Sequence, residues 1–538
     1  LSEADFFKTI GKHNTKRPGA VSKRNKKQPK KDENRIKYVC TRSCFCGIIK
    51  LWICSDQQRT DTLGCYGNKL VNSPNIDRLA ESGALFEHAY SQCPVCAPSR
   101  GSFLTGRYPR TCGPRQNGQD IDESEITLTR ILKDNGYVCG LSGKLHLSAC
   151  SPSVCPGTER RIDDGYDYFA WSHHPSGFRG GWPLNQYTLW LKSQGIKYRT
   201  EEFPGHTCIR YGMKPEYHQT KWCTDRALDF MEASRLTSRP WMFSINYYDP
   251  HHPFDPPKEY LDRYLSRLDE IAPPDYIKGE LDKKPSFQMK DHLGAYDTPG
   301  QFAYNNFDLT EHRLIRAAYY AMCDFIDVQV GRLIEYLEKS GQLENTIIIY
   351  MSDHGEHLGD HGMYLKGPCF YENNVNVPFI ISYPKAIPAG VRVNALAELV
   401  DIAPTLLEYC SIPVYEGMQG FSMADLIRGK DGALARKSAY SEYYNCNINH
   451  RDPKAFCSMV RDDRFKLVKV HAAPDGAPVD ESKYGCMGEL YDLINDPGEH
   501  FNLYDDPAYS EIKCRMLALL CDRMAATCDP LPHRKASW

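Results

Sequence analysis

The sequence predicts an α/β protein: a large, mostly parallel sheet flanked by helices, followed by a smaller α+β domain at the C-terminus. Three observations carry this. Two apolar runs, GIIKLWIC from Gly47 to Cys54 and TIIIYM from Thr346 to Met351, are too continuous for half-exposed strands and read as strands covered on both faces. Between such runs lie helical segments with start and stop signals, the alternation that builds parallel sheets. After about residue 430 the pattern changes to paired short strands and one helix, which reads as an antiparallel sheet with a helix packed across it.

In chain order, the first strand runs into Ser55-Asp56-Gln57-Gln58-Arg59, which sets a carboxylate at the sheet edge where open α/β sheets bind ligands. Ser73 to Gly83 is a helix with a Ser cap, Pro at its first position and Gly as its stop. Cys93-Pro94-Val95-Cys96-Ala97-Pro98-Ser99-Arg100 follows, with a helix predicted from Pro98. Glu125 to Asn135 reads as a helix, and Tyr137 to Leu141 as a strand leading into Gly143-Lys144-Leu145-His146. Residues 150–220 are rich in Gly, Pro, His and aromatics, among them Trp171, His173, His174, Trp182, Tyr187 and Trp190. This stretch reads as an insertion at the rim of a site, its rings suited to stacking on sugars or packing on one another.

Residues 222–233 read as a helix, and the strand Trp241–Tyr247 delivers Pro250-His251-His252-Pro253. Apolar residues at 314, 315, 318, 322, 325, 326, 330, 333, 334 and 337 keep helical spacing from Thr310 to Ser340. The strand at Thr346–Met351 then ends on Ser352-Asp353-His354, with a further strand at Val377–Tyr383 and a helix near 401–410. Phe456–Val470 and Gly488–Leu493 read as antiparallel strands, and Ala508–Ala525 as their helix. The chain is expected to divide into a tail over 1–37, a large α/β domain over 38–430 and a C-terminal α+β subdomain over 431–538.

Composition bounds the function. The 538 residues carry a net charge of -2, but residues 1–37 hold twelve Lys or Arg against four Asp or Glu and read as a disordered basic arm. The rest of the chain holds 54 Lys or Arg against 64 Asp or Glu, and the arm reads as a solvated tail, so no nucleic-acid partner is expected. No apolar run reaches the roughly 20 residues needed to span a bilayer. The 22 cysteines read as scattered thiols in a chain of this length, and Asn-x-Ser/Thr never occurs with a residue other than Pro at x. Both point to a reducing, cytoplasmic setting.

Strands of one parallel sheet bring their carboxyl ends to one edge, so Asp56 and Asp353-His354 can meet there. Asp56, Gln57, Asp353 and His354 offer two carboxylates, an amide oxygen and an imidazole, a cation site of moderate charge. Oxygen donors favour Ca2+ or Mg2+, and one imidazole admits Mn2+.

The run Cys96-Ala97-Pro98-Ser99-Arg100, with Leu104-Thr105-Gly106-Arg107, resembles the signature of the type I sulfatases of the alkaline phosphatase superfamily. The resemblance extends through Asp56 to Asp61, Gly143-Lys144-Leu145-His146, Pro250-His251-His252-Pro253, Ser352-Asp353-His354-Gly355, Lys366 and Glu489-Leu490-Tyr491-Asp492-Leu493. It implies an alkaline phosphatase-like fold and hydrolysis of a carbohydrate or small organic sulfate ester. It also implies that a maturation enzyme oxidises Cys96 to formylglycine, whose hydrate is the nucleophile. Asp56, Gln57, Cys96, Asp353 and His354 then hold the metal, Ca2+ first, and Arg100 holds the modified side chain. Lys144 and Lys366 bind sulfate oxygens, His146 and His251 contact nucleophile and leaving group, and Asn117 adds a substrate amide. His251 is preferred to His252 from its place after Pro250.

Gln57 and His354 replace the Asp and Asn of many sulfatases and occur in phosphonate monoester and phosphodiester hydrolases, which are the alternative. Three other readings compete: a Cys93-x-x-Cys96 redox pair, a zinc site from His354, His357 and His361, and a non-enzymatic binding protein with Cys96 unmodified.

Overall fold

Eight strands form the central sheet of the computed structural model, which describes residues 47–155, 157–174, 182–446, 452–471, 480–532 and 534. The strands are β1 (Ile49–Ser55), β2 (Ala84–Phe86), β3 (Val138–Gly143), β4 (Tyr168–Trp171), β5 (Trp241–Asn246), β6 (Thr346–Ser352), β7 (Phe379–Ser382) and β8 (Val391–Val393). Their order is β8-β2-β7-β6-β1-β5-β3-β4. Only β7 runs against its neighbours, so the sheet is mostly parallel, as the sequence predicts. The basic arm over 1–37, with Cys40, Cys44 and Cys46, lies outside the described residues.

Every residue of β1 and β6 is buried because helices cover both faces. Trp52 and Cys54 point into one apolar cluster with Ile349, Met351 and Phe379. Leu51 and Ile53 point into another with Ile348 and Tyr350. The helix Leu309–Lys339 packs Ile326, Val330, Leu333 and Leu337 into this second layer. A capping box of Asp308 and Glu311 opens it, satisfying backbone N–H groups that would otherwise lack partners. Further along, Tyr319 donates its hydroxyl to the Gln57 carbonyl and accepts from the Arg59 N–H at 3.2 Å, tying the helix to the loop after β1.

Residues 150–220 are more than an insertion. Tyr168–Trp171 is the edge strand of the main sheet, paired in parallel with β3. A helix at Gln186–Ser193 and a hairpin of Glu201–Phe203 with His206–Tyr211 also lie in the stretch. A four-residue strand among glycines and prolines has too little alternation to declare itself; its pairing partner makes it a strand.

The C-terminal sheet joins β9 (Ala439–Tyr444), β10 (Phe456–Arg461), β11 (Phe465–Val470) and β12 (Gly488–Asp492) in that order, all antiparallel. The helix Ser510–Ala526 covers one face through Met516 and Leu520. Residues of the opposite face, including Ala439, Met459 and Val468, pack against Tyr90, Cys93 and Val95. The second sheet therefore supports the segment that leads into Cys96.

Two buried histidines make the fold acid-sensitive. Burial, reinforced by Arg316 beside His312 and by His361 beside His357, pushes their imidazoles down to about 4 and about 3. Unfolding returns each to about 6.5, so below that pH the unfolded chain binds more protons and the native state loses stability. We expect the urea midpoint to fall from pH 6.5 toward pH 4, and His357→Gln to flatten the slope. An unchanged slope in that variant would assign the sensitivity to other groups.

Candidate active site

Three strand ends and one helix start converge at the carboxyl edge of the sheet. β1 leads to Asp56 and Gln57, β3 to Lys144, and β6 to Asp353 and His354. Ser55 pairs with Ser352, so the loops carrying the two carboxylates leave the sheet side by side. Gly143 has φ 95°, and a Cβ there would lie 1.9 Å from the Asn246 carbonyl oxygen. Only glycine lets the chain turn at the root of the Lys144 loop.

The helix Cys96–Thr105 starts at Cys96, two residues before the predicted start. Pro98 falls in its first turn, where a proline removes no helical hydrogen bond. Cys96 is 1% exposed and lies at the positive end of the helix, which favours an anion. Asn117 Oδ1 accepts the Ala97 N–H at 3.0 Å and caps that first turn.

Around Cys96 Sγ stand Lys366 Nζ at 3.0 Å, His354 Nε2 at 3.1 Å and Asp56 Oδ1 at 3.6 Å. His146 and His251 line the same cavity as Cys96. His252 lines the cavity too, its ring stacked on that of His251 with centroids 4.2 Å apart. Arg100 lies underneath, fully buried, donating to Asp353 Oδ2 at 2.8 Å, Asp56 Oδ2 at 3.2 Å and the Lys144 carbonyl at 2.9 Å. Lys144 Nζ donates to Asp56 Oδ2 at 2.5 Å.

The electrostatics follow from this packing. Burial alone would raise the Cys96 thiol, but Lys144, Lys366 and His354 outweigh it and hold it well below the usual thiol range. Burial and Cys96 push the Asp56 carboxyl up, yet Lys144, His251 and Arg100 bring it net below the carboxylate range. Burial with Lys144 lowers His146, and burial with Lys366 lowers His251, so both imidazoles are poised neutral. His354 moves the other way: the adjoining Asp353 overcomes burial and raises it.

Asp56, Cys96, Asp353 and His354 each offer a ligand atom within 4.8 Å of the others, which suits a single cation. Gln57 belongs beside them. Its left-handed backbone, φ 68°, is held by an N–H bond to Asp353 Oδ1 at 3.0 Å, and its Nε2 is bound by Glu356. Its Oε1 is buried with no hydrogen-bond partner, a cost that a cation at this place would offset.

The site opens into a cavity of about 270 Å³ lined by Asn117, Lys144, His146, His251 and Lys366. Five wall residues had no role in the sequence analysis: Tyr248, Tyr296, Gly367, Tyr443 and Cys446. Tyr248 was within reach of sequence logic, since it lies just past the end of β5. Tyr443 comes from β9, a strand with no sequence signal that it approaches Cys96. Trp171, Trp182 and Tyr187 are buried packing residues, whereas His173 lines the cavity.

Two competing readings fail on contacts. Cys93 packs into the apolar cluster of Tyr90 and Val95, whereas Cys96 Sγ is engaged by Lys366 and His354. His357 meets Asn374 at 2.8 Å and His361 meets Glu280 at 3.0 Å, so neither joins His354 in a zinc site.

Cations that ring a nucleophile position, with carboxylates placed to hold a metal behind it, serve attack on a tetrahedral oxyanion; the fold and site define a metal-assisted ester hydrolase. A model of the sulfatase family matches residues 50–412, and one described as N-sulphoglucosamine sulphohydrolase, C-terminal, matches residues 359–525. The chain belongs to the sulfatase family and is a sulfuric ester hydrolase. It is 30% identical over 500 residues to an uncharacterized sulfatase, YidJ, of Escherichia coli strain K12, covering 91% of this chain and 89% of that one. It is 27% identical to the N-acetylglucosamine-6-O-sulfatase of Bacteroides thetaiotaomicron, covering 90% and 88%. Its fold is that of the phosphonate monoester hydrolase of Agrobacterium radiobacter, with a TM-score of 0.75, 24% identity and coverage of 90% and 96%.

Proposed function

We propose that the sulfate ester is carried by a small saccharide and is cleaved by a formylglycine formed from Cys96, with Ca2+ held by Asp56, Gln57, Cys96, Asp353 and His354. The carrying observation is the cage around Cys96 Sγ: Lys366 and His354 close in, Asp56 stands behind, and His146 and His251 line the cavity in front. The sulfur marks where the nucleophilic oxygen sits after conversion. When present, the hydrated aldehyde supplies that oxygen and the cation polarises it together with a sulfate oxygen.

The chain's own residues do the rest. Lys144 and Lys366 present fixed positive charge to the sulfate oxygens, and Arg100 pairs with Asp56 and Asp353 and holds them aligned. The neutral imidazoles of His146 and His251 take a proton at the residue-96 side chain and offer an N–H to the departing alcohol oxygen. Because Cys96 through Arg100 are buried, a maturation enzyme must modify the motif before this segment folds.

The saccharide reading rests on the aromatic wall of Tyr248, Tyr296, Tyr443 and His173 around a cavity of about 270 Å³, and on the relative named as an N-acetylglucosamine-6-O-sulfatase. Its test is a matched pair of aryl sulfate and aryl phosphonate monoester, each with Ca2+ or Mn2+ added, followed by glucosamine 6-sulfate. Faster sulfate release with Ca2+ is expected. A clear preference for the phosphonate, or for Mn2+, would overturn the reading and favour the hydrolases that share Gln57 and His354.

A further inference from the structure

Outside the catalytic pocket, three residues from distant parts of the chain turn metal-ligating atoms toward one point. Glu280 opens the short turn Glu280–Lys283, His361 lies in the loop between His354 and Lys366, and His500 follows the last strand of the C-terminal sheet. One ligand atom from each lies within 4.8 Å of the others. His361 Nδ1 is 3.0 Å from Glu280 Oε1, and His500 Nδ1 contacts Glu280 Oε2. The side chains of Glu280, His361 and His500 are 2%, 5% and 10% exposed, so the cluster is nearly enclosed yet reached from solvent past His500.

We infer that Glu280, His361 and His500 form a second metal site, specific for Zn2+. Two imidazole nitrogens and one carboxylate oxygen are a zinc donor set with a fourth position left for water, and they are too few and too soft for Ca2+, which takes six to eight oxygens. The surroundings are those of a built site. Asp275 Oδ1 lies 3.0 Å from His500 Nε2, the outer carboxylate that fixes a metal-bound imidazole with its other nitrogen inward. His361 is locked twice: its ring stacks on Tyr371 at 3.6 Å and 11°, and its backbone N–H donates to the Asp275 carbonyl at 2.8 Å. That second bond holds a left-handed backbone, φ 55°, which an ordinary residue adopts only when its surroundings impose it. Lys284 Nζ is 3.5 Å from Glu280 Oε1 and also donates to the Glu499 carbonyl at 3.1 Å and lies over the Tyr371 ring.

Binding Zn2+ there clamps the loop that carries His354 and Lys366 to the C-terminal segment, independently of which ester the catalytic site cleaves. The test uses the full chain with Ca2+ in excess, titrated with Zn2+ against a competing fluorescent chelator. One Zn2+ per chain is expected, with a melting temperature that rises on its addition. His500→Asn and Glu280→Gln should each weaken uptake by about ten-fold or more and abolish the rise. X-ray absorption at the zinc edge of the unaltered protein should show two imidazoles, a readout that does not depend on the variants folding. Absence of zinc uptake overturns the site, and so does uptake that both variants leave unchanged, which would place the metal in the catalytic pocket.

Discussion

Replacing Cys96 by alanine is expected to abolish sulfate release while leaving the chain folded. The side chain removed is small, and its contacts are with polar groups rather than with the apolar core, so the loss of stability should be about 1 kcal/mol or less. The loss of rate should be about a thousand-fold or more, because the nucleophile itself is gone and the cage of Lys144, Lys366, His146 and His251 has nothing to activate. In the unaltered protein, the peptide containing residue 96 should be about 18 Da lighter than the thiol form, the mass lost when cysteine becomes formylglycine. Cys96→Ser separates the roles further, since it restores an oxygen without the aldehyde. Full activity in the alanine variant would sink the mechanism, and an unshifted peptide mass in active enzyme would assign the chemistry to the thiol.

Arg100→Leu is expected to cost the most stability. The guanidinium is wholly buried and satisfies Asp56, Asp353 and the Lys144 carbonyl at once. Leucine fills part of the volume but leaves Asp353 without its buried cation, a penalty of about 3–5 kcal/mol. Arg100→Lys should recover little of it, because a single ammonium cannot reproduce three bonds made from a planar fork. The denaturation midpoint measures this, and excess Ca2+ should narrow the gap by compensating the same carboxylates. A leucine variant as stable as the parent would show that Arg100 carries no such burden.

Much of the sheet was legible in the chain because its signals are local. GIIKLWIC and TIIIYM announce buried strands by unbroken apolarity, and the polar residues that follow each run mark the edge where chemistry gathers. The helix over Leu309–Lys339 followed from spacing alone. Tyr168–Trp171 and Ala439–Tyr444 were not legible, since four or six residues of mixed polarity become strands only through the neighbours that pair with them. The reversal of β7 was equally silent, because strand direction leaves no trace in composition.

The site divides in the same way. The sequence by itself determined which groups are present: the Cys96 motif with its proline and arginine, the carboxylates at 56 and 353, and the lysines at 144 and 366. Tertiary structure decided which of them touch. Cys96 meets His354 across 258 positions of chain, Gln57 meets Glu356 across 299, and Tyr443 reaches the cavity from the second sheet. Motifs are short-range because they encode turns, caps and strand ends. Contacts between them depend on strand order and register, which come from the summed packing of two apolar layers and belong to no single segment.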